Sequence, residues 1–312
     1  MPVIKSDGLT KAFGSKTVVD SLSFEVASGV VTGFLGPNGA GKSTTMRLIM
    51  GLDLPNSGGS LLNGKRINEI ASPMREVGVL LDAGYVHPTR TARNHLWALA
   101  ASNSIPKSRV EEVLSMVGLT EVAGKRVGNF SLGMKQRLGI AATLLGDPSI
   151  VILDEPANGL DPEGVHWIRN FLSYLADQGR TVFVSSHLLS EMALMASALV
   201  IIGNGRLIAE TSVEELTSNS AGASVFVRSP KLAELTAALV AAGAKVGTGE
   251  AGDREGIVVT GLEATEVGRL AFEKNIELHE LSPRTSTLEE AFLELTSGFQ
   301  EYQTERQGEV AS

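Results

Sequence analysis

Short, uninterrupted apolar runs recur along the first two thirds of the chain. They are Val30–Leu35, Val77–Leu81, Ile150–Leu153, Thr181–Ser185 and Leu199–Ile202. Such runs are typical of strands buried on both faces of a parallel sheet. Between the second and third runs, about 91–145, the pattern is helical, and one helix carries an apolar stripe at Val110, Val113, Leu114 and Val117. The pattern predicts an α/β unit over residues 1–218 with an inserted helical subdomain at about 85–145.

The pattern changes after a linker of small polar residues, Thr217–Gly222. We then predict, in order, strand, helix, strand, strand, helix, strand and helix: Ala223–Arg228, Lys231–Ala242, Ala244–Thr248, Gly256–Thr260, Ala264–Lys274, Ile276–Leu281 and Thr287–Thr296. That order predicts a small α+β domain of split βαβ type over residues 223–297. The polar residues 298–312 predict a disordered tail.

The net charge, the absence of cysteine and the length of the apolar stretches exclude several classes of function. The 312 residues carry a net charge of −8, which gives no electrostatic reason to bind nucleic acid. There are no cysteines, so disulfides, zinc–thiolate sites and thiol catalysis are excluded. The first seven residues lack the apolar core of a signal peptide, and the most apolar stretch, Met192–Gly205, is shorter than the roughly 20 residues that cross a bilayer. We therefore expect a soluble protein that reaches a membrane only through a partner.

The strongest chemical signal is a glycine-rich loop between an apolar strand and a helix. It consists of Gly36, Pro37, Asn38, Gly39, Ala40, Gly41, Lys42 and Ser43, and Thr44 follows in the helix. This is the phosphate-binding pattern G-x-x-x-x-G-K-[ST] in its required strand–loop–helix context. Backbone N–H groups would surround phosphate oxygens, Lys42 would reach the β- and γ-phosphates, and Ser43 would hold Mg²⁺. The alternative, a glycine-rich turn before an ordinary helix, does not explain the full pattern. The loop predicts binding of a nucleoside triphosphate.

Two carboxylates follow the strand Ile150–Leu153. Asp154 is predicted to hold Mg²⁺ near Ser43, and Glu155 to deprotonate a water molecule in line with the γ-phosphate. His187 follows another strand; a lone histidine there is usually incidental, but this sheet edge is where such folds bind ligands. Ser131 caps a helix with a basic first turn, a pattern that by itself indicates no phosphate site.

In combination these motifs resemble the ATP-binding subunits of ABC transporters over residues 3–216. Phe130–Met134 resembles the signature motif, Asn158–Asp161 the D-loop and His187 the switch histidine, while Phe13 matches the aromatic residue that stacks on adenine. The resemblance implies a head-to-tail homodimer around two ATP molecules. In it, Ser131 and Gly133 would contact the γ-phosphate bound by the partner, and Asp161 would couple the two sites.

Three positions depart from the family pattern. The usual Leu-Ser-Gly-Gly-Gln is Phe-Ser-Leu-Gly-Met, so Met134 offers no side-chain amide, whereas Ser131 and the second glycine are kept. Asp82 replaces the Q-loop glutamine; it is a candidate Mg²⁺ ligand, although its charge would lie beside ATP. Phe13 replaces the commoner tyrosine and loses only a hydroxyl.

The last helix and residues 80–96 resemble ATPase subunits of bacterial drug and antibiotic exporters of the daunorubicin-resistance type. The resemblance implies an ATPase on the inner face of the cell membrane, bound to a separate multi-span permease and not to nucleic acid. Two alternatives remain: a soluble ABC-type ATPase acting on ribosomes or DNA, and an importer ATPase with a regulatory C-terminal domain. Nothing resembles the guanine-reading motif of a GTPase.

Overall fold

The computed structural model describes residues 2–82, 84, 86–219, 224–251, 254–284 and 287–296. The described residues form two compact units, 2–211 and 212–296. The predicted disordered tail, 298–312, lies outside the described residues.

A six-stranded sheet forms the centre of the first unit. Its strands are β3 (Val31–Leu35), β5 (Val77–Leu80), β6 (Ile150–Leu153), β7 (Thr181–Ser185), β8 (Ala198–Gly203) and β9 (Arg206–Ser212). They lie in the order β5-β6-β7-β3-β8-β9, and the pairs from β5 to β8 are parallel. Every residue of β3, β6 and β7 is buried, which explains their uninterrupted apolar runs. The strands predicted from those runs are confirmed.

The first unit also contains a three-stranded antiparallel sheet, which was not predicted. It contains β1 (Pro2–Phe13), β2 (Lys16–Ala27) and β4 (Ser57–Leu62), in the order β2-β1-β4. Phe24 of β2 stacks on Phe34 of β3 and Phe183 of β7, with ring centroids 5.6 and 5.7 Å away. This aromatic cluster joins the two sheets in one core.

The helices of the first unit lie in the connections between its strands and in the inserted segment. They are α1 (Lys42–Ile49), α2 (Pro73–Glu76), α3 (Ala92–Ser102), α4 (Lys107–Met116), α5 (Leu132–Leu144), α6 (Pro162–Asp177) and α7 (Leu189–Met195). The stripe predicted around α4 is fully buried, and α3, α4 and α5 pack on one another. In the part of the chain that the structure describes, no helix has the length and apolar character needed to span a membrane.

The second unit is an antiparallel sheet with helices packed against it. Its elements are α8 (Val213–Asn219), β10 (Ser224–Arg228), α9 (Leu232–Ala241), β11 (Lys245–Ala251), β12 (Arg254–Thr260), α10 (Ala264–Glu273), β13 (Glu280–Arg284) and α11 (Leu288–Thr296). The strand order β11-β12-β10-β13 is that of a split βαβ fold, as predicted.

Several element boundaries of this unit differ from prediction by a few residues, and two of these differences have a clear physical cause. Residues 217–219, predicted as linker, belong to helix α8. A capping box starts this helix: the Ser212 N–H donates to the Glu215 carboxylate, and the Glu215 N–H donates to the Ser212 hydroxyl. The predicted domain boundary at 218 therefore falls inside α8. The strand predicted at 276–281 lies instead at 280–284. Ile276 packs in the core before the strand begins, and Pro283 is tolerated because β13 is an edge strand.

Candidate active site

The loop after β3 surrounds a pocket at the carboxyl end of the parallel sheet. Gly41 ends the loop at φ 101°, and a Cβ there would lie 2.7 Å from the carbonyl oxygen of Val18, so only glycine fits. The pocket has a volume of about 480 Å³ and is lined by Val18, Asn38, Gly39, Ala40, Gly41, Lys42, Ser43, Thr44, Glu155, Asn158 and His187. The N-terminus of α1 lines this pocket, and the first N–H groups of a helix have no partner within the helix, so they are suited to bind an anion there.

Lys42 is a buried cation at the first turn of α1. Its Nζ donates to the carbonyl oxygens of Gly36 at 2.7 Å and Pro37 at 3.3 Å, and lies 4.0 Å from Oε1 of Glu155. Burial lowers the pKa of the Lys42 ammonium group, whereas the carboxylates of Glu155 and Asp154 act in the opposite direction. A bound phosphate group would add further negative charge beside this desolvated ammonium.

Asp154 and Glu155 are joined through the hydroxyl of Ser185. This hydroxyl, fully buried at the end of β7, donates to Oδ1 of Asp154 and accepts the N–H of Glu155 at 2.9 Å. The N–H of Asp154 in turn donates to the carbonyl oxygen of Leu80 at 2.8 Å. Because β6 lies beside both β5 and β7, neighbouring strands fix the positions of both acidic residues.

Glu155 has a left-handed backbone conformation, with φ at 47°. Such a conformation costs a non-glycine residue about 1–2 kcal/mol and is common at functional sites. Its Oε2 lies 2.6 Å from Nδ1 of His187 and 3.3 Å from the backbone nitrogen of the same residue. An ionised carboxylate only accepts hydrogen bonds, so with Glu155 ionised this contact requires the His187 tautomer that has its proton on Nδ1. The strained backbone thus directs the Glu155 carboxylate between Lys42 and His187.

Of the predicted site residues, Asn38 to Thr44, Glu155 and His187 line this one pocket, and Gly36 and Pro37 contact it through the Lys42 ammonium. Phe13 does not line it; this residue is 52% exposed, and Nζ of Lys11 lies 4.9 Å from the centroid of its ring. The Asp82 carboxylate accepts the N–H of Gly84. The roles of Phe13 and Asp82 stay predictions.

Ser131, Gly133 and Asp161 lie together at the start of two helices, apart from the pocket lining. Oγ of Ser131 accepts the N–H of Met134 at 3.2 Å and caps α5, while Oδ1 of Asp161 accepts the N–H of Gly164 at 2.9 Å and caps α6. Ser131 and Asp161 therefore have capping roles in the single chain, and Gly133 lies in the first turn of α5. Their predicted contact with ATP needs a second copy.

Three residues of the site, Val18, Asn158 and Ser185, were not predicted to belong to it. Val18 lies on β2, a strand that was not predicted, and Asn158 was recognised only as part of a motif. Ser185 was placed at the end of a strand, and nothing in the sequence indicated that its hydroxyl joins two residues some thirty positions away. A signal existed only for Val18, because Leu22, Phe24 and Val26 alternate with polar residues along β2.

The residues present fit a magnesium nucleotide. The loop is an open cradle with an ammonium at its base, and the oxygens of Ser43 and Asp154 are the hard ligands that Mg²⁺ prefers. Among the described residues no three histidine, aspartate or glutamate side chains converge on a metal position.

Comparisons with known proteins agree with this geometry. A family model described as "ABC transporter" matches residues 19–158, and a domain of unknown function matches residues 223–289. The chain is 36% identical over 298 residues to an "Uncharacterized ABC transporter ATP-binding protein YhcH" of Bacillus subtilis (strain 168), covering 94% of this chain and 96% of that one.

Two further matches are confined to part of the chain. The "Bacitracin transport ATP-binding protein BcrA" of Bacillus licheniformis is 43% identical over 220 residues, covering 69% of this chain and 71% of that one. A solved structure described as "Structure of ATP binding subunit of ABC transporter" superposes with a TM-score of 0.62 at 27% identity, covering 69% of this chain and 91% of that one.

Proposed function

This chain belongs to the ABC transporter ATP-binding proteins, and from that premise we propose that it powers export of a drug-like, antibiotic or lipid-like substrate through a separate membrane permease. The family makes the chain an ATPase whose hydrolysis of ATP is coupled to transport. The observation that carries our proposal for the site is the convergence of Lys42, Glu155 and His187 on one pocket.

The Lys42 ammonium and the N–H groups of the loop make this pocket suited to bind the negatively charged triphosphate of ATP. The triphosphate would lie along the Gly36–Ser43 loop, where it accepts backbone N–H groups and pairs with the Lys42 ammonium. Bound Mg²⁺, held by Ser43 and Asp154, would neutralise charge that develops on the phosphate oxygens. Asp82 is the further candidate ligand, and Phe13 the surface on which adenine would stack.

Glu155 is the residue that would accept a proton from the attacking water. Its carboxylate lies between Lys42 and His187, at the edge of the pocket where a γ-phosphate would end. General-base catalysis of this kind contributes about 10²–10⁴-fold. His187 would orient the carboxylate, since its Nδ1–H group and backbone N–H group both donate to the same oxygen.

The complete site would form only in a head-to-tail homodimer. Ser131 and Gly133 of one subunit would contact the γ-phosphate bound by the other, and Asp161 would couple the two sites. ATP would favour the closed dimer because only that state offers the phosphate both sets of contacts. Hydrolysis would then release it and move a permease between its two facing states.

Export is supported by two resemblances. The B. licheniformis relative is described as a bacitracin transport protein. The last helix, from Leu288, resembles the ending of ATPase subunits in daunorubicin-resistance exporters. In this proposal the chain lies in the cytoplasm against the inner face of the cell membrane, held there by the permease.

The test is to tag the chain in its native host, purify it from detergent-solubilised membranes and identify its partners by mass spectrometry. We expect a multi-span membrane protein in stoichiometric amount, and export of labelled candidate antibiotics that stops when either gene is deleted. Ribosomal proteins or DNA-repair factors in place of a permease would refute the transport proposal. Substrate uptake rather than release would refute export.

A further inference from the structure

Leu132 stands where the resembled signature motif has glycine, and its side chain packs on the loop before α6. A Cβ on Gly159 would lie 2.6 Å from Cδ2 of Leu132, so the leucine methyl group occupies the space above the Gly159 backbone. Gly159 also has φ at 71°, which favours glycine. The Leu132 side chain therefore fills space that is open only because residue 159 is glycine.

The next residue continues this contact. A Cβ on Gly133 would lie 3.6 Å from Cδ2 of Leu160, which is an ordinary packing distance. The first turn of α5 and the loop 158–161 are thus close neighbours, with the Leu160 side chain beside Gly133.

Arg137 makes a third contact one turn further along α5. Its guanidinium lies 4.1 Å from the ring centroid of Trp167 on α6, and its Nη1 donates to the carbonyl oxygen of Val117 at 3.2 Å. Burial lowers the pKa of Arg137, and the nearby carboxylates of Glu163 and Asp161 oppose that effect. The Trp167 ring is itself stacked on Phe171 at 5.1 Å.

These three contacts, Leu132 on Gly159, Gly133 on Leu160 and Arg137 on Trp167, form what we term the α5–α6 clamp. We propose that the clamp is a positioning device for ATP hydrolysis, which makes the first turn of α5 and the loop 158–161 move as one body. The inference rests on the proposed head-to-tail dimer, in which both segments would reach the partner's ATP.

The clamp has a short connection to the chain's own catalytic group. Asn158 lines the pocket, and its N–H donates to the carbonyl oxygen of Glu155 at 3.1 Å. A force on the start of α5 is therefore passed through Gly159 to the turn that holds Glu155. Weakening the clamp should leave the Gly36–Ser43 loop unchanged but lower the fraction of time that the Glu155 carboxylate is correctly placed. We therefore expect kcat to fall while KM changes little.

The experiment compares two tryptophan variants of the full chain in steady-state ATP hydrolysis. For Trp167→Leu we expect kcat to fall about three- to tenfold, the loss expected from one partly buried cation–π contact, with KM for ATP within about twofold. Trp167→Phe keeps an aromatic face and should restore most of the rate. Trp97→Leu is the matched control: Trp97 also contacts a cation, Lys107 at 5.6 Å, but lies on α3 outside the clamp, so its kcat should not change.

Glu155→Gln separates failure of this inference from failure of the proposed function. If Glu155→Gln abolishes turnover while Trp167→Leu keeps the wild-type kcat, the clamp is overturned and the proposed function stands. If Glu155→Gln turns over at the wild-type rate, the proposed catalytic site is wrong and the clamp falls with it. If Trp167→Leu does not fold, Leu132→Ala and Arg137→Lys replace it: we expect the same fall in kcat with little change in KM, and a wild-type kcat in both would overturn the clamp. A loss of kcat in Trp97→Leu equal to that in Trp167→Leu would also overturn the clamp.

Discussion

Replacing Ser185 by alanine removes the hydroxyl that joins the two acidic residues of the site. That hydroxyl is fully buried, donates to the Asp154 carboxylate and accepts the N–H of Glu155. Alanine fits the same space, so the change isolates the two hydrogen bonds. We expect Ser185→Ala to lower both the stability of the first unit and its turnover of ATP.

The magnitudes follow from the partners. A hydrogen bond to a charged group contributes about 1.5–3 kcal/mol, so the free energy of unfolding should fall by about 2–3 kcal/mol. The left-handed backbone conformation of Glu155 costs about 1–2 kcal/mol. Without the hydrogen bond from its N–H to Ser185, nothing offsets that cost. An energy of that size lowers the population of the correctly placed carboxylate by about 5–30-fold, and kcat should fall by the same factor. KM for ATP should change little, because Lys42 and the loop are untouched.

The assay combines chemical unfolding with steady-state ATP hydrolysis. Ser229→Ala is the matched control, because Ser229 is also a buried serine with two hydrogen bonds: it donates to the carbonyl oxygen of Glu277 at 2.6 Å and accepts the N–H of Lys231 at 3.1 Å. It belongs to the second unit, so its loss should destabilise that unit and leave kcat unchanged. Ser185→Cys, which keeps a weaker donor, should fall between wild type and Ser185→Ala.

If folded Ser185→Ala hydrolysed ATP within about twofold of the wild-type rate, Ser185 would not position Glu155. A rise in KM with an unchanged kcat would also contradict this positioning role. That pattern would mean that Ser185 acts on nucleotide binding through Asp154.

Three further outcomes are expected. Glu155→Gln should lower kcat about 10²–10⁴-fold with ATP affinity retained, whereas Glu111→Gln, a change at an exposed ion pair with Arg93, should not; a loss of only a few-fold would exclude Glu155 as the base. Lys42→Ala should weaken ATP binding by about 30-fold or more, measured by calorimetry, because the phosphates lose a buried cation. Burial, and then the charge of Arg90, lowers the pKa of His95 below 6.5, so the unfolded state takes up the proton first and stability falls as pH drops below 6.5. His95→Gln should remove that slope between about pH 7 and pH 5; melting curves with an unchanged slope would show that His95 is not its source.

Strands buried on both faces were the most predictable part of this fold. The bounds of β6 and β7 match the predicted runs because neither strand has an exposed face on which polar residues could interrupt the pattern. The strand β4, with the sequence Ser-Gly-Gly-Ser-Leu-Leu, carries no such signal. It becomes a strand through pairing with β1, which is a tertiary effect that local propensity does not contain.

The candidate site was predictable where chain order dictates geometry. The loop, Glu155 and His187 follow β3, β6 and β7, and in a parallel sheet neighbouring strands end at the same edge. Contacts between distant side chains were not predictable. The pairing of Arg137 with Trp167 depends on how α5 packs against α6, and no spacing in the sequence encodes that distance.

The cap on α5 is compatible with the proposed role of Ser131 in the dimer. A hydroxyl has one donor and two acceptor positions, and the cap uses one acceptor, because Oγ accepts the N–H of Met134. The O–H is therefore still able to donate to a phosphate oxygen, so binding would add a hydrogen bond without breaking the helix cap. The same cap explains why methionine is tolerated at 134: that position contributes its backbone N–H, which every residue except proline supplies. The departure from the family motif at 134 is therefore compatible with the phosphate contacts proposed for Ser131 and Gly133.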